Sequence, residues 1–433
     1  MGNPLEGQAA ERFDERVDAL AEDAFSFLER LVAAPSTLGR EELAQEVLAD
    51  ELERLGFDVS SVSVPERVAD HPASGIPQLA YDGRRDVLGR WRGEQPVLLF
   101  NGHIDVVPAD STSWSADPFR PRRADGWLVG RGAGDMKGGF AMVLLALAAL
   151  AEAAPETLEV PLGFLSVIEE ECTGNGTLAA VLEGISADAV LLPEPSDLGA
   201  LLAGIGVVWL DVEIIGAGGH AHAADSLLTP VGALGRLVGA LGELGRTWSI
   251  ESPDPTFADL DQAYTVNVGR VDCGDWRSNV ASRARLGVRF GHPRSWGAAD
   301  VLERVSATVR ECLAEESGSA LRVSVRESGF RAEGYALAAD HDFVELVAES
   351  HEAALGTPLQ RFALNSTTDA RYYLNQAKIP ALCYGPVVRN MHGADEAVEL
   401  ASIVKGARTI GRLVDRVGRA AATGRPFTSL GSP

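Results

Sequence analysis

The chain has 433 residues, of which 46% are hydrophobic and 23% charged, a balance typical of a soluble globular protein with two or three domains. Its formal net charge of −24 argues against nucleic acid or an anionic membrane surface as a partner, because their phosphates would be repelled. An anionic substrate is not excluded, since arginines or a metal can reverse the field inside a cleft.

The N-terminal half alternates between helical and strand patterns. Apolar residues recur at helical spacing, or form short continuous runs of the kind found in strands covered on both faces. A segment rich in Pro, Gly, Asp and Arg, residues 65–85, predicts a surface loop. The predicted helices cover residues 9–31, 40–55 and 140–152, and the predicted strands cover 57–64, 97–101, 161–168 and 189–192.

The pattern changes near Ala203, where residues 207–215 alternate apolar and polar side chains as in an antiparallel strand with one wet face. The order strand, helix, two strands, helix, strand then favours a two-layer α+β module. Its later elements are predicted at residues 227–244, 264–271, 283–290, 298–316 and 321–328. Alternating α/β structure resumes with a helix over 341–355, a strand over 381–384 and a helix over 403–417.

The predicted fold class is therefore α/β, with a mainly parallel sheet in an αβα catalytic domain. This domain is expected to comprise residues 1–203 and 331–433. A two-layer α+β module, residues 204–330, is expected to be inserted into it. The tail from residue 420 to 433 is predicted to be loose.

The cellular location is predicted from the cysteines and the N-terminus. The four cysteines are scattered and form no C-x-x-C pair, as expected in a reducing compartment. The first residues lack a basic stretch followed by an apolar core, and the apolar run at 140–151 is short for a membrane span. We therefore expect a cytoplasmic protein without a membrane partner.

Acidic and imidazole side chains follow several predicted strands. His103 and Asp105 alternate on one strand, so both side chains point the same way, and Asp105 can fix the ring of a ligating His103. Imidazole and carboxylate are ligands of a cation such as zinc. Five residues are predicted to bind two metal ions: His103, Asp135, one glutamate of Glu169-Glu170-Glu171, Glu194 and His392.

Asp135 is predicted to bridge the two ions, because the flanking glycines let the backbone turn sharply and approach them. A second glutamate of the triplet can act as general base, since adjacent residues on a strand diverge. Taken singly, an acidic triplet is usually a solvated loop, and His392 alone would be structural. Their co-occurrence at predicted strand ends favours a site.

The chain resembles the M20 metallopeptidase and amidohydrolase family, which includes acetylornithine deacetylase, succinyl-diaminopimelate desuccinylase, aminoacylase and glutamate carboxypeptidases. The resemblance covers nearly the whole chain, and its motifs run in family order. The segments that carry it are Gly102-His-Ile-Asp-Val-Val-Pro108, Trp114 with Asp117-Pro-Phe119, Asp125-Gly126, Gly130-Arg-Gly-Ala-Gly-Asp-Met-Lys-Gly-Gly139, Glu169-Glu-Glu with Thr173-Gly174 and Gly176, Glu194-Pro195, and Tyr384-Gly-Pro386 with His392 and Glu396.

The resemblance implies a role for each site residue. His103 and His392 are implied as terminal ligands of separate metals bridged by Asp135, with Glu194 completing one site. Glu170 is implied as general base and Glu171 as ligand, and Glu169-Glu170 is kept as the alternative pair.

The resemblance implies that the inserted module is a ferredoxin-like lid and dimerisation domain. Within it, His220 fits the family's Gly-x-x-x-His turn, whose imidazole reaches the partner subunit's active site and steadies the oxyanion. Asn279 matches a lid asparagine with a similar role. Arg289 is a candidate for binding a substrate carboxylate, although the sequence departs here from the family's Pro-Asp and Asp-x-Arg pattern. The alternative is that Arg289 is a solvated strand residue. Asp369 and Arg371 are expected to position substrate or brace the ligand loop.

These features predict an amidohydrolase that uses two divalent metals, zinc or alternatively cobalt or manganese, to cleave a small N-acyl amino acid or peptide-like substrate. The metals activate water, Glu170 transfers the proton, and the enzyme is expected to be a homodimer through the lid. The alternatives are a metallo-carboxypeptidase or dipeptidase, a formylaminopyrimidine deformylase, and a non-catalytic metal- or ligand-binding protein of the same fold.

Overall fold

The computed structural model describes residues 5–110, 112–222, 229–313, 321–424 and 427. The helices of these residues are α1 (Gly7–Ala33), α2 (Glu42–Leu55), α3 (Gly138–Ala153), α4 (Asn175–Leu182), α5 (Pro230–Glu251), α6 (Ala298–Cys312), α7 (Asp342–Leu355), α8 (Ala370–Tyr372) and α9 (Leu400–Ala422). Their strands are β1 (Asp58–Ser63), β2 (Arg85–Trp91), β3 (Leu98–His103), β4 (Arg122–Ala124), β5 (Trp127–Val129), β6 (Leu162–Val167), β7 (Ala189–Leu192), β8 (Ala200–Gly204), β9 (Gly206–Ile215), β10 (Gly219–His220), β11 (Val266–Cys273), β12 (Asn279–Val280), β13 (Arg283–His292), β14 (Arg322–Ala332), β15 (Tyr335–Ala336), β16 (Arg361–Leu364), β17 (Ala381–Cys383), β18 (Val388–Arg389) and β19 (Ala397–Glu399).

The main sheet has nine strands in the order β1-β2-β6-β3-β7-β17-β8-β15, with β16 also paired to β8. The pairs β6/β3, β3/β7 and β7/β17 are parallel, whereas β1/β2, β2/β6, β17/β8 and β8/β15 are antiparallel. The β16/β8 pair is also parallel. The sheet is therefore mixed, and the prediction of a mainly parallel sheet holds for its centre but not for the sheet as a whole. Strand β2 was missed because its arginines and Asp86 interrupt the apolar run expected of a covered strand.

Helix α3 forms the centre of the helical packing and contacts both α1 and α9. It is apolar on all sides, which is typical of a helix enclosed by other elements. The helix and the turn before it form one stretch, residues 133–153, that is long and apolar enough to cross a membrane. Most of this stretch is buried inside the protein. The apolar stretch is thus longer than the run at 140–151 that is visible in the sequence. Its burial agrees with the predicted core helix.

A second hydrophobic core lies in what we call the four-stranded module, made of the sheet β11-β13-β9-β14 and helices α5 and α6. All neighbouring strands are antiparallel, and the element order is the predicted strand, helix, two strands, helix, strand. Even-numbered residues of β9 such as Val208 and Leu210 are buried, while Trp209 and Asp211 lie on the other face. The predicted start of the first helix at 227, the predicted end of the second at 316 and most of the predicted loose tail fall outside the described residues.

The parallel centre of the main sheet positions the chemistry. The carboxyl ends of β3, β6 and β7 lie side by side, and His103, the glutamate triplet and Glu194 stand at or just after them. Functional groups in open α/β sheets gather at such an edge.

We predict opposite stability effects for two glycine-to-alanine substitutions. A Cβ at Gly139 would lie 1.9 Å from the Pro193 carbonyl oxygen, so Gly139→Ala should destabilise the protein by about 1–3 kcal/mol or more. On the exposed face of α5, a Cβ at Gly239 would meet nothing within 4 Å, so Gly239→Ala should stabilise by about 0.5–1 kcal/mol. Denaturant midpoints measure both, and equal shifts would contradict the packing at Gly139.

Candidate metal centre

Five predicted ligands converge at the edge of the main sheet, from segments far apart in the chain. Asp135 lies in the turn Ala133–Lys137 that leads into α3, and His392 follows β18 with a positive φ of 61°. One ligand atom each from His103, Asp135 and Glu171 lies within 4.8 Å of the others.

The two carboxylate oxygens of Asp135 face different histidines. Oδ1 lies 3.0 Å from His103 Nε2, and Oδ2 lies 3.2 Å from His392 Nε2. His103 Nε2 is also 3.8 Å from Glu194 Oε2, while His392 Nε2 is 3.2 Å from Glu171 Oε1. The cluster thus divides into two halves, each with one histidine and one glutamate, that share Asp135.

The charges of this cluster fit a cationic occupant. Within the described parts of the chain, no lysine or arginine forms an ion pair with Asp135, Glu171 or Glu194. Burial raises the pKa of Glu194 well above its usual range; His103 opposes this rise and Asp135 adds to it. Buried carboxylates without a permanent counter-charge are costly, and a divalent cation relieves that cost. Two imidazoles with three carboxylates are a ligand set that suits zinc and related divalent metals.

Asp105 supports the centre differently from the prediction. The His103 Nδ1 contact is with the backbone oxygen of Asp105 at 2.8 Å, and the Asp105 carboxylate is 3.8 Å away. That carboxylate instead accepts the backbone N–H groups of Glu170 and Glu171, at 3.1 and 3.2 Å. Asp105 therefore orients the histidine ring through its main chain and holds the acidic turn through its side chain.

The three glutamates of the triplet have different surroundings. Strand β6 ends at Val167, and Glu169 adopts a φ of 63°, so the triplet forms a turn rather than the strand assumed from the sequence. The fully buried Glu169 carboxylate accepts hydrogen bonds from Tyr81 Oη and Thr173 Oγ1 and pairs with Arg84. Because this carboxylate is fully engaged away from the histidines, the geometry favours Glu170 over Glu169 as general base.

Glu170 lies beside the histidine cluster and lines the adjacent cleft. Its Oε1 is 3.9 Å from Arg371 Nη1, and Arg371 also contacts Asp369 at 3.3 Å. Burial, and then the charge of Asp369, raise the pKa of Glu170 well above its usual range. Asp369 and Arg371 are themselves buried and do not line the cleft; Arg371 braces Glu170 directly, and Asp369 contacts Arg371.

A buried ion pair that was not predicted as part of the site joins the Asp135 turn to the segment of His392. Glu396 Oε1 accepts the backbone N–H groups of Gly134 and Asp135, at 2.9 and 3.1 Å. Its other oxygen pairs with Arg131, whose Nη2 donates to the carbonyl oxygen of His392 at 3.2 Å. Both residues stand in the quoted motifs. Because they lie far apart in the chain, only the folded structure reveals that they pair.

The remaining predicted residues lie on the four-stranded module and on the two-stranded β10/β12 ladder. His220 and Asn279 are exposed and pair directly across the short β10/β12 ladder, outside the lining of the cleft. Arg289 lines the cleft of about 710 Å³ together with Glu170, Glu171 and His392. Its guanidinium donates to Thr265 Oγ1 and to the carbonyl oxygen of Asn365, which are neutral groups. This chain alone therefore brings Arg289 to the cleft, but not His220 or Asn279.

Comparison with known proteins gives a consistent result. Residues 99–416 match the model of peptidase family M20/M25/M40. The chain is 30% identical over 405 residues to a succinyl-diaminopimelate desuccinylase of Methylobacterium radiotolerans, which covers 90% of this chain and 96% of that protein. It is 26% identical over 438 residues to an N-formyl-4-amino-5-aminomethyl-2-methylpyrimidine deformylase of Bacillus subtilis, covering 92% and 94%.

Solved structures share the fold. Human carnosine dipeptidase 1 superposes with a TM-score of 0.74 at 17% identity, covering 94% of this chain and 99% of that one. A Bacillus subtilis protein described as a dinuclear metal-binding peptidase of the M20 family gives a TM-score of 0.59 at 15% identity, covering 93% and 99%.

We predict that Glu396→Gln weakens metal binding about 10- to 100-fold, because the Asp135 turn loses its anionic support and buried Arg131 loses its partner. Chelator competition with Zn²⁺ measures the change. The matched control is Asp395→Asn, which breaks the more exposed pair with Arg122 and should leave the affinity within about twofold. Equal losses in both variants would refute the role of Glu396.

Metal binding should also strengthen as the pH rises. Burial lowers the pKa of His392, but Glu171 and Asp135 outweigh burial and raise it to about 11, so the metal-free imidazole is protonated at neutral pH. A cation must displace that proton. For each proton displaced, the logarithm of the metal affinity should rise by about one for every unit of pH. Zn²⁺ titrations at three pH values, with calorimetry in two buffers to count protons, test this; an affinity independent of pH would contradict it.

Proposed function

Because the chain belongs to peptidase family M20/M25/M40, we propose that it is a two-metal amidohydrolase that cleaves the amide bond of a small N-acyl amino acid or a related substrate. The observation that carries this proposal is the orientation of Asp135, whose two oxygens each face a histidine of a different half of the cluster. One carboxylate shared by two cations is the arrangement used by two-metal hydrolases.

The centre would hold one cation between His103, Glu194 and Asp135, and another between His392, Glu171 and Asp135. We propose zinc, with cobalt or manganese as alternatives, since all accept imidazole and carboxylate ligands. When bound, such cations lower the pKa of water and polarise the carbonyl of the substrate.

Glu170 acts as the general base in this proposal. Its carboxylate stands in the cleft beside the ligands, and burial raises its pKa above the usual range, which makes it a stronger base than an exposed carboxylate. The same carboxyl group then returns the proton to the departing amine. Arg371, buried against its Oε1, keeps the side chain in place through the two transfers.

Arg289 is proposed to bind a substrate carboxylate. It lines the same cleft, and its hydrogen bonds to the described residues reach only neutral oxygens, so its charge stays available for an anion. This supports an N-acyl amino acid. The similarity to the deformylase favours deformylation of an aminopyrimidine as a second candidate.

We further propose that the four-stranded module is a lid and a dimerisation surface. His220 and Asn279 stand together and exposed on the β10/β12 ladder, as expected of groups that complete the active site of a partner subunit. A cytoplasmic location is proposed because all four cysteines are free.

The general base is tested by comparing two neighbouring glutamates. Glu170→Gln should lower kcat about 10²- to 10⁴-fold while elemental analysis still finds about two metals per chain. Glu169→Gln should lower the melting temperature, because buried Arg84 loses a partner, yet keep kcat within about tenfold. The reverse order of kcat losses would assign the base to Glu169. A non-catalytic binder would be favoured if the unmodified protein binds two metals but turns over no member of acyl-amino acid, peptide and formylpyrimidine panels.

A further inference from the structure

Two aromatic side chains form one wall of the cleft. Trp209 on β9 and Phe330 on β14 both line it, with ring centroids 5.2 Å apart and an edge-to-face angle of 78°. We call this pair the aromatic wall. Trp209 lies on the face of the sheet opposite α5 and α6 and is only partly buried, so part of its ring system borders the open cleft.

The backbone next to the wall is shaped to admit the indole ring. Gly329 has a φ of 62°, and a Cβ there would lie 2.5 Å from Trp209 Cε3 and 3.1 Å from the carbonyl oxygen of Cys172. The Gly329 carbonyl oxygen also accepts the N–H of Ile76 at 2.7 Å. Glycine is thus required for both the conformation and the space, and the position of the ring is set by the fold.

The wall begins beside the reacting groups. The Arg371 guanidinium lies 5.4 Å from the Phe330 ring centroid, and the same guanidinium is 3.9 Å from Glu170. Trp209 is the next ring along, and Arg289 pairs with Trp209 in register on the neighbouring strand. A substrate whose amide lies at Glu170 and whose carboxylate lies at Arg289 would therefore pass along the aromatic wall.

The local charges disfavour a cationic group on this wall. An indole face can bind an ammonium ion, but Arg289 is adjacent to Trp209, and its positive charge forms no ion pair with an acid in the described part of the chain. The nearby Asp211 lies 3.7 Å from Arg326, which offsets its charge. A planar apolar group stacks on an aromatic ring without this repulsion.

We propose that the substrate carries an aromatic ring that packs against Trp209, so that N-acyl aromatic amino acids are preferred over aliphatic and cationic ones. This inference rests on the proposed function and specifies its substrate class. Trp209 is a specificity-determining residue in this account, and Phe330 supports its orientation.

Hydrolysis by the metal-loaded enzyme tests the proposal with phenylalanine, leucine and ornithine, each carrying a formyl, acetyl or succinyl group. For whichever acyl group is cleaved, kcat/KM of the phenylalanine substrate should exceed that of the leucine and ornithine substrates by about tenfold or more. Trp209→Leu should abolish this preference, because kcat/KM for the phenylalanine substrate falls about tenfold or more relative to that for the leucine substrate, whereas Trp209→Phe should retain it. Trp296→Leu, which removes a tryptophan on the helix side of the same module, is the control and should keep the preference.

Preference for leucine or ornithine substrates, or a preference for phenylalanine that persists in Trp209→Leu, would overturn the proposal. Failure of the proposed function gives a different result, namely no hydrolysis of any member of the set with metal bound. In that case calorimetry with free phenylalanine and leucine still decides the matter. Tighter binding of phenylalanine that is lost in Trp209→Leu supports the aromatic wall, and equal or absent binding of both amino acids refutes it.

Discussion

The shared carboxylate of Asp135 is the constraint on which the rest of the site depends. Its two oxygens must face two histidines that are separated by nearly three hundred residues of chain, at 3.0 and 3.2 Å. The turn before α3 can meet this requirement because Glu396 binds its N–H groups and Arg131 fastens Glu396 to the segment of His392. The helix that follows is enclosed in the core, so the turn stands on a rigid support.

This arrangement also explains why so many acids are tolerated in a buried place. The acids that surround the ligands have partners of their own: Glu169 pairs with Arg84, Glu396 with Arg131, and Asp105 accepts two backbone N–H groups. The carboxylates of Asp135, Glu171 and Glu194 face only histidines among the described residues. The charge that the protein leaves uncompensated is thus concentrated where divalent cations would supply the balance.

Much of this could be predicted from the sequence, for identifiable physical reasons. Continuous apolar runs located β3, β6 and β7, and the alternation in β9 gave both its antiparallel character and its open face. Strand β2 could not be predicted because polar residues interrupt its apolar run. The turn at Glu169 could not be predicted because no sequence pattern marks a glutamate with a positive φ. The pairing of Arg131 with Glu396, the bracing of Glu170 by Arg371 and the backbone contact of Asp105 depend on tertiary contacts, which local patterns do not encode.

The most direct test of the central claim is a crystal structure of the zinc-loaded protein with anomalous data collected at the zinc edge. The account predicts two anomalous peaks about 3.5–4 Å apart, both within coordination distance of Asp135, one next to His103 and Glu194 and the other next to His392 and Glu171. A single peak, or two peaks of which only one touches Asp135, would contradict it.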